Sequence, residues 1–176
     1  QQQGIKSIIV MPEKTPFTKI SKTKAYGAEI ILTGRTLDES KLTVERLINE
    51  NGFQLVHPFD DPHIITGQGT IGLEIMDEVP NLDYLVIPIG GGGLISGISI
   101  AAKSINPDIK IIGVESEHYP SMSRSLAGFN LKSGGDTLAE GIAVKTPGEL
   151  TKPIVKELVD KIILVNEQQI EWAISA

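Results

Sequence analysis

The sequence contains no cysteine, which excludes a disulfide framework, a thiolate nucleophile and a cysteine-ligated metal. That fits a reducing compartment, and the cytoplasm is the expected location. Aromatic residues are 5% of the chain, and no apolar run reaches the roughly 18 residues that a membrane-crossing helix needs; no membrane role is expected. Positive charge is scarce too. Sixteen Lys and Arg face 22 Asp and Glu, a net charge of -6 without a basic cluster, which argues against nucleic acid as a partner. His57, His63 and His118 lack metal-ligand spacing, so no metal site is expected. The opening Gln1-Gln2-Gln3-Gly4-Ile5-Lys6 lacks the cationic and apolar pattern of a secretory leader. Neither end reads as a domain edge: the first strand pattern begins almost at once, and a helix starting after Asn166 stops at Ala176.

What is present is a set of short apolar runs: 8–11, 29–32, 85–89, 111–114 and 162–165. They do not alternate polar with apolar, the pattern of strands covered by helices on both faces. Between them lie helical stretches. Thr15-Pro16 reads as a cap and first-turn proline before 17–26, closed by Gly27, and 38–51 ends at Gly52. Further helices are predicted at about 69–79, 93–105, 120–127 and 148–158. Strand, helix, strand order with short loops gives an α/β fold with parallel sheets. Prolines and acids at 56–62 interrupt the pattern, which places a domain crossing there, with 1–55 in one domain and 56–176 in another.

Four consecutive glycines, Gly90, Gly91, Gly92 and Gly93, follow one strand pattern directly and lead through Leu94 into a helix of small residues. Such a loop sets unhindered backbone N–H groups at the positive end of a helix, a geometry that binds phosphate. A Cβ would block the anion's approach and penalise positive φ angles. A flexible turn is the plain alternative, but the run stands at the carboxyl end of a parallel strand, where open α/β sheets bind ligands. Two commoner phosphate loops fail on these residues. The dinucleotide fingerprint breaks at Ile95, counted from Gly90, and at Ser96, counted from Gly91. A nucleoside-triphosphate loop matches at Gly92, Gly97 and Ser99 but has Ile98 where its lysine belongs. A phosphate held by amides and a helix dipole remains, which suits a cofactor monophosphate.

Other motifs accompany the loop in order: Met11-Pro12, Tyr26-Gly27-Ala28-Glu29, His57-Pro58-Phe59-Asp60-Asp61, Gly67-Gln68-Gly69-Thr70, Gly113-Val114-Glu115, Ala139-Glu140-Gly141-Ile142-Ala143-Val144-Lys145 and Pro147-Gly148-Glu149. With these the sequence resembles the fold-type II pyridoxal-phosphate (PLP) enzymes, and within them the threonine (serine) dehydratase and serine racemase group. The resemblance covers essentially the whole chain. It implies an α/β fold of open parallel sheets with helices on both faces, here an incomplete two-domain core: 1–55 from the small domain and 56–176 from the large one. It implies that Gly90, Gly91, Gly92, Gly93 and Leu94 hold the phosphate of pyridoxal 5'-phosphate and that Gly141 lies near its ring. The implied reaction eliminates the β-hydroxyl of L-threonine or L-serine to give a 2-oxo acid and ammonia. The implied parent is a homo-oligomer acting on a small amino acid.

The sequence also departs from that family. The lysine that carries the cofactor and the loop that grips the substrate carboxylate precede the segment resembling residue 1, and the residue that meets the pyridine nitrogen follows Ala176. Lys19, Lys22 and Lys24 read as a solvated helix face, and Lys103 and Lys145 stand outside the family's lysine context. No catalytic residue is therefore expected within the chain. Glu115 aligns with a divalent-cation ligand of some serine racemase relatives, but the acid expected six residues later is Ser121. Asp60-Asp61 reads as a cap or turn before Pro62 rather than as a catalytic carboxylate pair. A serine racemase and a non-catalytic phosphate-ligand module stand as the alternatives.

Overall fold

Each apolar run forms a strand in the computed structural model, which describes residues 4–35, 37–129 and 133–176. The leader reading on Gln1, Gln2 and Gln3 lies outside the described residues. The chain divides into two compact units, Gln1–Leu55 and Val56–Ala176. In the first, β1 (Ile8–Met11) and β2 (Glu29–Leu32) pair in parallel, Ile8 beside Glu29 and Met11 beside Leu32. Helix α1 (Phe17–Ala25) connects them, and α2 (Leu37–Asn51) follows. Gly27 and Gly52 close these helices with φ angles of 87° and 67°. Pro16, not Thr15, occupies the cap position of α1, and no side chain caps it.

The second unit is built on a parallel sheet ordered β3 (Tyr84–Pro88), β4 (Lys110–Ser116), β5 (Lys161–Val165). Helix α3 (Pro62–Glu78) precedes the sheet, α4 (Gly93–Ile105) joins β3 to β4, and α5 (Ser121–Leu126) and α6 (Thr151–Leu158) lie between β4 and β5. Helix α7 (Glu167–Ser175) follows β5; its first turn is held by a capping box in which the side chains of Asn166 and Gln169 each accept from the other's backbone N–H.

Burial explains which layer carries the stability. Ile89, Ile95, Ile109, Ile111, Met122 and Val155 are fully enclosed; each such side chain contributes about 1.5–3 kcal/mol, against about 0–1 kcal/mol for a surface ion pair. Packing of α4, α5 and α6 on the sheet therefore outweighs the surface ion pairs. Helices α3 and α4 approach closely because Gly69 and Gly72 face Gly97 and Ala101; a Cβ on Gly97 would lie 2.6 Å from Gly69 N. Along β3, Leu85 and Ile87 are buried while Tyr84 and Val86 are 60% and 64% exposed, so the described residues cover one face of that strand.

Two helix starts differ from the sequence expectation. Helix α3 begins at Pro62 instead of about residue 69, because the Asp61 side chain accepts from the N–H groups of His63 and Ile64 and Pro62 takes the first turn. Helix α6 begins at Thr151 rather than 148, preceded by a turn at Glu149 and Leu150 whose N–H groups donate to Asp60.

Asp160 ties the start of β5 to β4. Its N–H donates to Ile111 O at 2.9 Å, and its carboxylate accepts from Ile111 N at 3.0 Å and pairs with Lys110 and Lys103 at 3.1 and 3.3 Å. The Ile111 amide first, then the lysines, lower its pKa from 3.8 to about 2. A lowered carboxyl pKa favours the folded state above the ordinary aspartate range, and that contribution is lost as pH falls from about 4 towards 2. Because the side chain is 31% exposed, screening holds the effect to about 1 kcal/mol. Asp160→Asn is expected to destabilise the fold by about that amount at pH 7, with the difference shrinking on acidification; urea unfolding at pH 7 and pH 3 measures both.

Candidate functional site

The carboxyl end of β3 delivers the chain to α4 across the glycine run. Ile89 N donates to Val114 O at 2.8 Å, which keeps the backbone in register with β4 as far as the run. Ser96 N donates to Gly92 O at 3.0 Å. The intervening N–H groups of Gly91, Gly92, Gly93, Leu94 and Ile95 meet no acceptor among the described residues. These donors sit at the positive end of a 13-residue helix, and Gly91, Gly92 and Gly93 are themselves buried. Such an arrangement can solvate an anion without a cation.

The reasons for glycine differ along the run. Among its four glycines only Gly92 has a positive φ, 96°. A Cβ there would lie 2.6 Å from Met122 Cε and 2.7 Å from Thr151 Oγ1. At Gly91 the ring of Phe59 fills the place of a Cβ, and at Gly93 the Phe59 backbone stands 2.9 Å from it. A Cβ on Gly90 would fall 3.2 Å from Ile142 Cα and 3.6 Å from Gly141 O. Clearance for an anion is thus not what demands glycine here; neighbouring parts of the protein occupy these positions.

Those neighbours form a bonded frame. The carbonyl of Gly91 accepts from Thr151 Oγ1 at 2.6 Å and from Gly148 N at 3.0 Å. Asp60 accepts from Glu149 N and Leu150 N, each at 2.9 Å, and its Oδ1 fills the place of a Cβ on Gly148. His57 Nδ1 in turn accepts from Asp60 N at 2.8 Å and Phe59 N at 3.3 Å, and the His57 and Phe59 rings meet edge to face at 4.7 Å. Segments 57–60, 90–93 and 147–151 therefore lock together. Asp60 and Asp61 both serve as acceptors for backbone N–H groups, as the turn-or-cap reading expects. Thr151 is fully buried and was not distinguished by the sequence, since a threonine just after Pro147-Gly148-Glu149 carries no recognisable pattern.

Gly141 stands in a 3-10 turn (Glu140–Ile142) beside Gly90, with open space where its Cβ would be. The strand-like segment before it is strapped from several sides. Gly134 N donates to His118 O at 2.9 Å, the Tyr119 hydroxyl to Gly135 O at 2.7 Å, and His118 Nδ1 lies 2.7 Å from Asp136 O. Glu167 accepts from Leu138 N at 2.9 Å, the bond that most lowers its pKa. His57 and His118 thus both bond to backbone groups.

Glu115 is fully buried, and its two oxygens accept from Met122 N at 2.7 Å and Ser123 N at 3.0 Å at the start of α5. Burial raises its pKa; those amides oppose the rise. Both oxygens are engaged by the helix start. Lys103 Nζ donates to Ile109 O at 2.8 Å and pairs with Asp160, at the far end of α4 from the glycines. Among the described residues, no three His, Asp or Glu side chains converge as a metal site would need, and no helix is long and apolar enough to cross a membrane.

Comparison with known proteins agrees with the resemblance. The chain is 51% identical over 173 residues to an L-threonine ammonia-lyase of Thermotoga maritima, covering 97% of this chain and 43% of that protein. It is 49% identical over 172 residues to a catabolic L-threonine dehydratase of Staphylococcus aureus, covering 97% and 50%. The chain therefore spans about half the length of these curated relatives. Maize serine racemase superposes with a TM-score of 0.93 at 36% identity, covering 99% of this chain and 53% of that one. The processed form of threonine deaminase isoform 2 from Solanum lycopersicum gives 0.87 at 41% identity, covering 97% and 47%. The pyridoxal-phosphate dependent enzyme family matches residues 1–176, and with relatives of this similarity the chain belongs to that family.

Proposed function

We propose that the amides of Gly90, Gly91, Gly92, Gly93 and Leu94 hold the phosphate of pyridoxal 5'-phosphate, with Gly141 beside the ring, in a parent enzyme that deaminates L-threonine or L-serine. The observation that carries this reading is the row of unengaged N–H groups from Gly91 to Ile95 at the start of α4. The residues fit the group: a phosphate dianion needs several donors, and nothing lies within 4 Å of where a Cβ on Gly141 would be, so the protein leaves that side of Gly141 open. When bound, the cofactor supplies an electron sink for charge developing at the substrate Cα. This chain's contribution is to anchor and orient. Gly91, Gly92 and Gly93 place their donors in a buried, rigid loop, and the strap around His118, Tyr119 and Glu167 fixes the approach to Gly141.

The overall change removes a proton from Cα and the hydroxyl from Cβ as water, after which water releases ammonia and leaves the 2-oxo acid. The group that moves the proton lies outside this chain in the proposal. Residues 1–55 form part of the small domain and 56–176 part of the large one. Cytoplasmic residence and a homo-oligomeric parent belong to the same proposal, the first carried by the cysteine-free composition and the second by the family resemblance. A serine racemase is the second reading, favoured by the close superposition on the maize enzyme. A phosphate-binding module without catalysis is the third.

The full-length protein that carries this chain, supplied with PLP, is expected to form 2-oxobutanoate from L-threonine faster than it converts L-serine to D-serine. Coupled reduction of the 2-oxo acid and chiral chromatography measure the two rates; the reverse order would favour the racemase, and neither activity the binding module. The 176-residue polypeptide, purified and verified by mass, is expected to form no 2-oxobutanoate from L-threonine with added PLP. Turnover by that polypeptide would place the proton-transfer group within these residues.

A further inference from the structure

Gly92 has φ 96° and ψ -4°, the angles of the third residue of a type II turn. Rotating the preceding peptide by half a turn would give the type I form, with φ near -90° at the same residue. Glycine makes both forms accessible, so something else must choose between them. The peptide joining Gly91 to Gly92 is trans, which points its C=O and N–H in opposite directions. Its C=O faces the fully buried Thr151 hydroxyl at 2.6 Å and Gly148 N at 3.0 Å. Its N–H therefore faces away from them, and no acceptor among the described residues meets it.

We infer that Thr151 is a positioning residue for the cofactor phosphate: its hydroxyl holds the Gly91 carbonyl and so keeps the Gly92 N–H turned towards the anion. The inference rests on the proposed phosphate site. Thr151 bonds to the loop through the Gly91 carbonyl, on the side opposite the Gly92 N–H. The hydroxyl also lies 3.2 Å from Gly148 O, but its single proton goes to the nearer acceptor, Gly91 O. Gly148 N alone remains to hold that carbonyl when the hydroxyl is lost, and a flipped peptide would then present a carbonyl oxygen to the phosphate in place of a donor. The choice between one attractive and one repulsive group makes the binding sensitive to a residue behind the loop.

The test uses the full-length protein with three substitutions. Thr151→Val removes the hydroxyl with little change in shape, Thr151→Ser keeps it, and Thr151→Ala removes it without the bulk of a branched side chain should the valine fail to fold. PLP affinity is measured by titration, and the environment of the bound phosphate by its phosphorus NMR shift; urea unfolding follows stability separately. Thr151→Val and Thr151→Ala are expected to weaken PLP by about tenfold, the scale of one lost hydrogen bond, and to displace the phosphorus signal. Thr151→Ser is expected to restore both. A valine variant that binds within twofold of the unsubstituted protein with an unmoved signal overturns the inference, whatever its stability, and so does a serine variant as impaired as the valine one. If the unsubstituted protein shows no saturable PLP binding, the proposed site itself is wrong and this inference falls with it.

Discussion

The carbonyl of Gly91 takes two hydrogen bonds, from Thr151 and from Gly148, and the form of the glycine loop depends on them. Four glycines in succession have more accessible backbone conformations than any other residue type, and the entropy of fixing them is correspondingly large. Without anchors the run would sample many shapes. Ile89 pins its start to β4, and the hydrogen bond from Ser96 N to Gly92 O engages its end. The Gly91 carbonyl pins the middle. Each bond is worth only about 0.5–1.5 kcal/mol net, yet a trans peptide has only two broad choices of facing, and a bias of that size suffices to select one.

The same frame explains how three distant stretches of sequence fit together. Phe59 fills the space that a side chain at Gly91 would need, Asp60 fills that at Gly148, and Thr151 with Met122 fills that at Gly92. Each glycine is therefore complementary to a particular partner. His57 stabilises the turn from which Phe59 and Asp60 project, by accepting from both of their N–H groups. Replacing any one member leaves either an overlap or an unpaired buried group, and both are costly. A tetraglycine alone would be a floppy turn; with this frame it is a rigid one.

Much of this was legible in the sequence, and the boundary of legibility has physical causes. All five apolar runs form strands, and the helix after the glycines spans 93–105 as its pattern predicts. Periodicity reports such elements because it records burial within a few residues. The start of α3 is hidden in the sequence because prolines and acids between 56 and 62 look like a break, when Asp61 and Pro62 are a cap and a first turn. Asp60 and Asp61 look identical in sequence, yet one caps the adjacent helix and the other bonds to residues 89 and 90 positions away. Thr151 was silent for the same reason. Its partner, Gly91, is 60 positions distant, and no local pattern encodes a bond of that length. For the glycines, position was legible but cause was not, since positive φ accounts for Gly92 alone.

The distribution of acceptors in the second unit bears on why the loop should bind an anion at all. A helix begins with unpaired N–H groups, and side chains usually satisfy some of them. Asp61 does so for α3, Glu115 for α5 and Asn166 for α7, while Asp60 takes the N–H groups just before α6. Glu115 is fully buried there, its burial raising the pKa and the two amides opposing the rise. Helix α4 has no such acceptor: Gly92 stands at its cap, and no side chain bonds to its first N–H groups among the described residues. Yet Gly91, Gly92 and Gly93 are buried, so water is a poor substitute. Among the described residues, a side chain takes N–H groups at the starts of α3, α5 and α7 and just before α6, while the start of α4 is left open at the carboxyl end of a parallel strand, where a ligand can supply the missing charge. A phosphate fits that gap because it brings several acceptor oxygens and the negative charge that the helix end favours.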